Sequence, residues 1–112
     1  MTAKEIREKF DLKVFCEETP DAEVLGGYTG DLLSWVMGRS EKGNCWITIM
    51  SNRNVSAVAQ LTEASMVILA EDVEPDQGTL DAFIENGLNL YGSSESAFSI
   101  SGKVAILFHE QV

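Results

Sequence analysis

The sequence predicts an α/β domain, built as a mainly parallel sheet with helices on both faces, and three observations carry that prediction. Short apolar runs recur at "CWITIM" (45–50), "MVILA" (66–70) and "LNLY" (88–91), each of the kind a strand shows when it is buried on both faces. A stretch with helical periodicity follows each run. The links between them are short, as repeated strand and helix units with right-handed crossovers require. With 112 residues, of which 45% are apolar and 23% charged, the chain suits one domain spanning 1–112 around one core.

The elements follow in order. Thr2 and Glu5 have capping-box spacing, and Ile6 and Phe10 fall one turn apart, so residues 2–9 are predicted to form a short amphipathic helix. "LKVFC" (12–16) alternates like a strand, and "EETPD" turns the chain. "EVLGGY" is expected to be a strand that ends at its glycine pair. Asp31 then caps a helix carrying Leu32, Leu33, Val36 and Met37 inward, until "RSEKGN" breaks it. Beyond the first apolar run, Asn54 is expected to cap a helix with Val55, Val58, Ala59 and Leu61 on one face. After the second run, Leu80, Phe83 and Ile84 form such a face before "ENG" ends the helix. The last helix sets Ala97, Ile100, Val104, Leu107 and Phe108 at helical spacing.

Charge removes several function classes. Eight basic against 18 acidic residues give a formal net charge of -10, which repels a polyanion, so no nucleic-acid partner is expected. No Lys or Arg lies between Asn54 and Gly102, whereas Glu63, Glu71, Asp72, Glu74, Asp76, Asp81, Glu85 and Glu95 all do. An anionic ligand must therefore find its cations in the first half of the chain. No apolar run reaches the length of a membrane span, and "MTAKEIREKF" is charged where a signal peptide needs an apolar core. No membrane partner and a cytoplasmic location are expected. Cys16 and Cys45 lack the paired spacing of a zinc or redox motif and are read as buried free thiols.

In a parallel sheet, ligands gather where the loops after successive strands meet. Those loops are "GGYTGD", "SNRN", "EDVEPD" and "YGSSES". The first offers glycine-exposed backbone N–H groups, and the second lies at a helix N-terminus, where the dipole favours an anion. The candidate ligand-binding residues are therefore Gly26, Gly27, Thr29, Gly30, Asp31, Ser51, Asn52, Arg53 and Asn54, with a nucleotide or other small anion as the ligand. A plainer reading stays open, in which the glycines only supply positive φ angles and Asn54 only caps. G-x-G-x-x-G is absent, and no glycine precedes Lys-Ser or Lys-Thr. "EDVEPD" lacks EF-hand spacing and is read as a solvated acidic loop, so neither a metal nor a cofactor is expected. His109 is the only histidine, and no carboxylate pair is marked as acid and base, so no catalytic residue is assigned. Trp46 belongs in the core. Trp35 points sideways from the stripe of its helix, suited to cover a partner subunit, and a homodimer is expected.

The run from Gly26 to Asp76 resembles the DRTGG domain, a small α/β module found alone, beside CBS domain pairs and in phosphotransacetylases. The resemblance rests on Gly-Asp-Leu-Leu-Ser (Gly30 to Ser34) after a glycine pair, Trp-Ile-Thr (Trp46 to Thr48), Asn-Val with Ala-Val-Ala (Asn54 to Ala59), and Glu74, Pro75 and Asp76 after an apolar strand. The module it implies spans nearly the whole chain. The family is similar in fold to the N-terminal domain of HPr kinase and to the nucleotide-binding N-terminal domain of the Mur ligases. That kinship implies a nucleotide-like site in the two glycine and asparagine loops, without kinase activity, because the kinase's P-loop belongs to another domain. Where the literal signature carries an arginine, "GGYTGD" has none. Asn52 stands where the family commonly shows histidine, with Arg53 beside it as the replacement charge. The resemblance thus implies a non-catalytic regulatory or ligand-binding module. The alternative is an acidic interaction module that docks on a partner enzyme without a small ligand.

Overall fold

In the computed structural model, which describes residues 1–109, the Thr2 and Glu5 pair forms the capping box its spacing predicts. The Thr2 hydroxyl accepts the Glu5 N–H at 3.2 Å and the Glu5 carboxylate accepts the Thr2 N–H at 3.0 Å, opening α1 (Ala3–Lys9). There follow β1 (Lys13–Glu17), β2 (Gly26–Thr29), α2 (Leu33–Arg39), β3 (Asn44–Thr48), α3 (Arg53–Leu61), β4 (Met66–Leu69), α4 (Gln77–Glu85), β5 (Asn89–Gly92) and α5 (Ala97–His109).

The strands form one five-stranded sheet in the order β1-β5-β4-β3-β2. Neighbours from β2 through β5 run parallel, and β1 pairs antiparallel with β5 at one edge. The mainly parallel sheet is therefore observed, with one reversed edge strand. Every residue of β3 and β4 is buried, as a strand covered on both faces requires. Their side chains alternate between two layers. Cys45, Ile47, Met66, Ile68 and Tyr91 pack with Ile6 of α1 and with Ile100 and Val104 of α5. Trp46, Val67, Leu69 and Leu90 pack with Val36 of α2, Val55 and Val58 of α3, and Phe83 of α4. A slip of one residue would exchange the two sets, so this burial pins the register.

Five expectations are corrected. The glycine pair does not end its strand; Gly26 and Gly27 begin β2, paired with Asn44 and Cys45. Asp31 does not cap α2, whose first residue follows Leu32 without a side-chain cap. Of that helix's expected inward set only Val36 is buried, while Leu32 and Met37 are exposed, because a helix of 7 residues over an edge strand has one turn's worth of face to bury. Asn54 does not cap α3. Asn52 does, its side-chain oxygen accepting the Asn54 N–H at 2.9 Å. Leu61 and Ile84, placed on inward stripes by spacing, are exposed; each lies in its helix's last turn.

Candidate functional site at the carboxyl edge of the sheet

Parallel strands deliver their outgoing loops to one edge, and the loops here are cross-linked there. After β2, the Gly30 N–H donates to the Ile47 carbonyl at 3.1 Å, and the Gly30 carbonyl accepts from Trp46 Nε1 at 2.9 Å. The Asp31 carboxylate accepts from Thr48 Oγ1 at 2.7 Å and from the Ile49 N–H at 2.9 Å. It thereby ties the loop after β2 to the end of β3. Ser51 Oγ then donates to the Glu74 carbonyl at 3.2 Å, joining the loop after β3 to the loop after β4. The chain continues through Glu71 and Asp72, whose N–H groups donate to Glu95 and Ser93 carbonyls at 2.8 and 2.9 Å. Both residues hold positive φ, 58° and 63°, a conformation that an L residue keeps only where its surroundings fix it.

Arg53 and Lys13 reach this edge, as does Lys103, whose ammonium is 2.9 Å from Glu95 in the loop after β5. Arg53, the first residue of α3, lies across the first turn of α4: a Cβ on Gly78 would stand 3.8 Å from its Cδ. Asp76, which caps α4 by accepting the Thr79 N–H at 2.7 Å, is held below the usual carboxylate range by Thr79 and more weakly by Arg53. Lys13 begins the reversed strand β1, which places it among the outgoing ends of the others. Its ammonium is 2.7 Å from Glu74 and 5.2 Å from the centre of the Phe15 ring, and it holds the Glu74 pKa down. Beside it opens a cavity of about 310 Å³, lined among others by Phe10, Asp11, Phe15, Asp72, Gly92 and Ser93.

The residues singled out by sequence fall into two groups. Gly30, Asp31, Ser51, Asn52, Arg53 and Asn54 share the carboxyl edge. Gly26 and Gly27 lie at the other end of β2; Gly26 is roughly 13 Å from Gly30 at about 3.3 Å per residue. Neither takes a positive φ; among the described residues only Gly43 and Gly87 are glycines that do. Their smallness admits neighbours instead. A Cβ on Gly27 would meet the Cys45 carbonyl at 3.4 Å and Val104 of α5 at 3.8 Å. Thr29 turns toward α5 as well, its hydroxyl 2.7 Å from that of Ser101. Gly27 and Thr29 thus line a second cavity, about 330 Å³, between β2 and α5, with Tyr28, Ile47 and Phe108.

Lys13, Phe15 and the capping role of Asp76 escape the sequence reading. The order Asp76-Gln77-Gly78-Thr79 is a helix-start signal inside what reads as an acidic loop, and it could have been found. Nothing local marks Lys13, because its place depends on β1 running backwards. The "EDVEPD" loop is more than a solvated run, since Glu74 pairs with Lys13, Asp76 caps α4 and its backbone is bonded to the loop after β5. Among the described residues, no group of three or more His, Cys, Asp and Glu is placed to hold a metal ion, and no helix is long and apolar enough to cross a membrane.

What this arrangement defines is a three-layer α/β domain whose strand ends form a braced, polar edge. No family model matches the chain, and no curated protein matches it. A solved structure does: the CBS and DRTGG domains of the regulatory region of the Clostridium perfringens pyrophosphatase, complexed with the activator diadenosine tetraphosphate. The TM-score is 0.69 at 9% sequence identity, over 94% of this chain and 46% of that one. At that identity the likeness is one of fold. The chain spans about half the length of the structure it resembles.

Proposed function

We propose that this chain is a non-catalytic regulatory module of the DRTGG type, working in the cytoplasm, that binds a nucleotide or other small anion at the carboxyl edge of its sheet. The observation that carries the reading is the convergence of Gly30, Asp31 and Ser51 to Asn54 on one edge, with Arg53 standing over the starts of α3 and α4. Helix N-termini attract phosphate, and Arg53 supplies a charge-assisted donor. Gly27 and Thr29 belong to the reading only as the wall of the neighbouring cavity, and Gly26 only as a strand residue beside Asn44. Support comes also from the fold it shares with a regulatory region that binds a nucleotide activator. The kinship with the N-terminal domains of HPr kinase and the Mur ligases belongs to the same proposal, as does self-association into a homodimer through the side of the domain that carries Trp35.

A thermal-shift panel of adenine, guanine and uridine nucleotides, each with and without magnesium, tests it. A ligand at 100 times its dissociation constant stabilises the native state by about 2.7 kcal/mol, several degrees for a domain of this size. A shift lost in Arg53→Ala supports the reading; a flat panel removes it. One observation favours the second reading, an acidic docking module: the cation-free stretch sets Glu71, Asp72, Asp81 and Glu85 on the exposed surface of this edge and of α4. Affinity for a basic partner would then fall steeply with salt.

A further inference from the structure

The helices α2, α3 and α4 lie side by side on one face of the sheet, with α3 in the middle, touching both others. Their outer surface is unusual for a chain of net charge -10. The outward stripe of α3 is Arg53, Asn54, Ala57, Gln60 and Leu61, all exposed at the three- and four-residue spacing of one helix face. Its centre is Ala57, small enough to let another helix approach closely. On one flank, α2 exposes Trp35, 54% accessible, with the Arg39 guanidinium stacked 4.1 Å from its ring centre, and contains no carboxylate. On the other flank, α4 exposes Asp81, Ile84 and Glu85 and contains no Lys or Arg.

We infer that this face is the contact between two copies of the chain, related by a two-fold axis through Ala57. The inference rests on the reading that the chain self-associates, and names the surface. A two-fold running along α3 lays the α2 of each copy along the α4 of the other in the same direction, because all three helices run back against the parallel strands they connect. Arg39, at the end of α2, then meets the end of the opposing α4, where the exposed Glu85 stands. Trp35 and Met37 of one copy cover Ile84 of the other, which accounts for large apolar side chains left in water on both flanks. The occupant follows from the charge pattern. A uniformly basic partner is repelled by the α2 flank and a uniformly acidic one by the α4 flank, whereas a second copy satisfies both flanks with the same surface twice.

The test combines mass with crosslinking. Sedimentation of the full chain at tens of micromolar is expected to give twice the 12.3 kDa protomer mass. Ala57→Cys is expected to form a covalent dimer on mild oxidation, because residues on the axis face their own copies. Cys16 and Cys45 are buried and do not compete. Arg39→Glu and Glu85→Arg are each expected to weaken the dimer roughly tenfold or more, and the two together to restore it, with circular dichroism unchanged. A dimer that ignores the charge swaps and leaves the thiol introduced by Ala57→Cys reduced overturns the assigned face while self-association stands. A monomer at every concentration overturns both.

Discussion

The Asp31 carboxylate holds the end of β3 by two bonds at once, from the Thr48 hydroxyl at 2.7 Å and the Ile49 N–H at 2.9 Å. Thr48 is buried, and its oxygen also accepts the Met50 N–H at 3.1 Å, so the carboxylate anchors a relay that shapes the entry to α3. Asp31→Ala leaves a buried hydroxyl without its acceptor. A hydrogen bond to a charged group is worth about 1.5 to 3 kcal/mol, and a loss of that order should appear in urea unfolding. Asp31→Asn keeps one acceptor oxygen and is expected to cost less than half as much. Equal losses in the two variants would show that the charge, and not the geometry, holds the loop.

Arg53 is the side chain on which ligand binding should turn. It is exposed, and its stem lies against Gly78 rather than in the core. Arg53→Ala is therefore expected to leave unfolding within about 0.5 kcal/mol of the parent, while weakening binding of a phosphate-bearing ligand by about tenfold or more. Calorimetric titration of whichever nucleotide shifts the melting temperature separates the two effects. Unchanged affinity would take Arg53 out of the site.

What the sequence showed depended on how local the cause was. The capping box at Thr2 and the doubly buried runs of β3 and β4 are written in neighbouring residues, and they were legible. Gly26 and Gly27 were read as a turn because glycine permits positive φ, yet they are strand residues whose missing side chains admit Asn44, Cys45 and Val104. That reason is tertiary, so no spacing reveals it. Asp31 presented the same difficulty, since a helix cap and a brace to the next strand look alike until the partner strand is placed. The site lost its cavity residues because Lys13 and Phe15 arrive on the reversed strand.

Phe15 sits at a break in the pairing of β1 with β5, where Val14 faces Tyr91 and Cys16 faces Leu90. Such a bulge re-aims a side chain, and here the ring lies on Gly92, where a Cβ would come within 2.7 Å of Phe15 Cε2. Gly92→Ala must displace the ring. The expected cost is about 1 to 3 kcal/mol, the usual range for overpacking, and the cavity beside Lys13 should change shape. Gly92→Ala paired with Phe15→Leu should recover much of the loss. No recovery would mean that the backbone of β5, rather than the ring, resists the methyl.

Both thiols are expected to be inert in the folded protein. Burial pushes the Cys45 thiol up to about 12 and the Cys16 thiol up to about 11, so little thiolate, the reactive form, exists near neutral pH. Alkylation at pH 8 should be slow for native protein and complete within minutes in guanidinium chloride. Rapid labelling of Cys45 without denaturant would reveal local opening between β2 and β3, where Cys45 pairs with Gly27.

The pH dependence of stability should reflect one partly buried cluster. The Glu17 carboxylate accepts from Arg7 Nε and from an Arg7 terminal nitrogen at 3.0 and 2.9 Å, and from the Tyr91 hydroxyl at 2.6 Å. Arg7 chiefly holds the Glu17 pKa below its ordinary value, with Tyr91 adding to it. Because the folded pKa is the lower one, the stabilisation is present above the unfolded carboxylate value and is lost as pH falls through the folded value. Tyr91 has the opposite sense: burial, with Glu17 beside it, raises its pKa. Its contribution is complete below the unfolded tyrosine value of about 10 and is lost as pH rises beyond it. Glu17→Gln should flatten the acid limb of a stability curve measured by urea unfolding, and Tyr91→Phe the alkaline limb. An acid limb that kept its slope in Glu17→Gln would assign acid sensitivity to other carboxylates, of which Asp76, bonded to the Thr79 N–H, is the next to test.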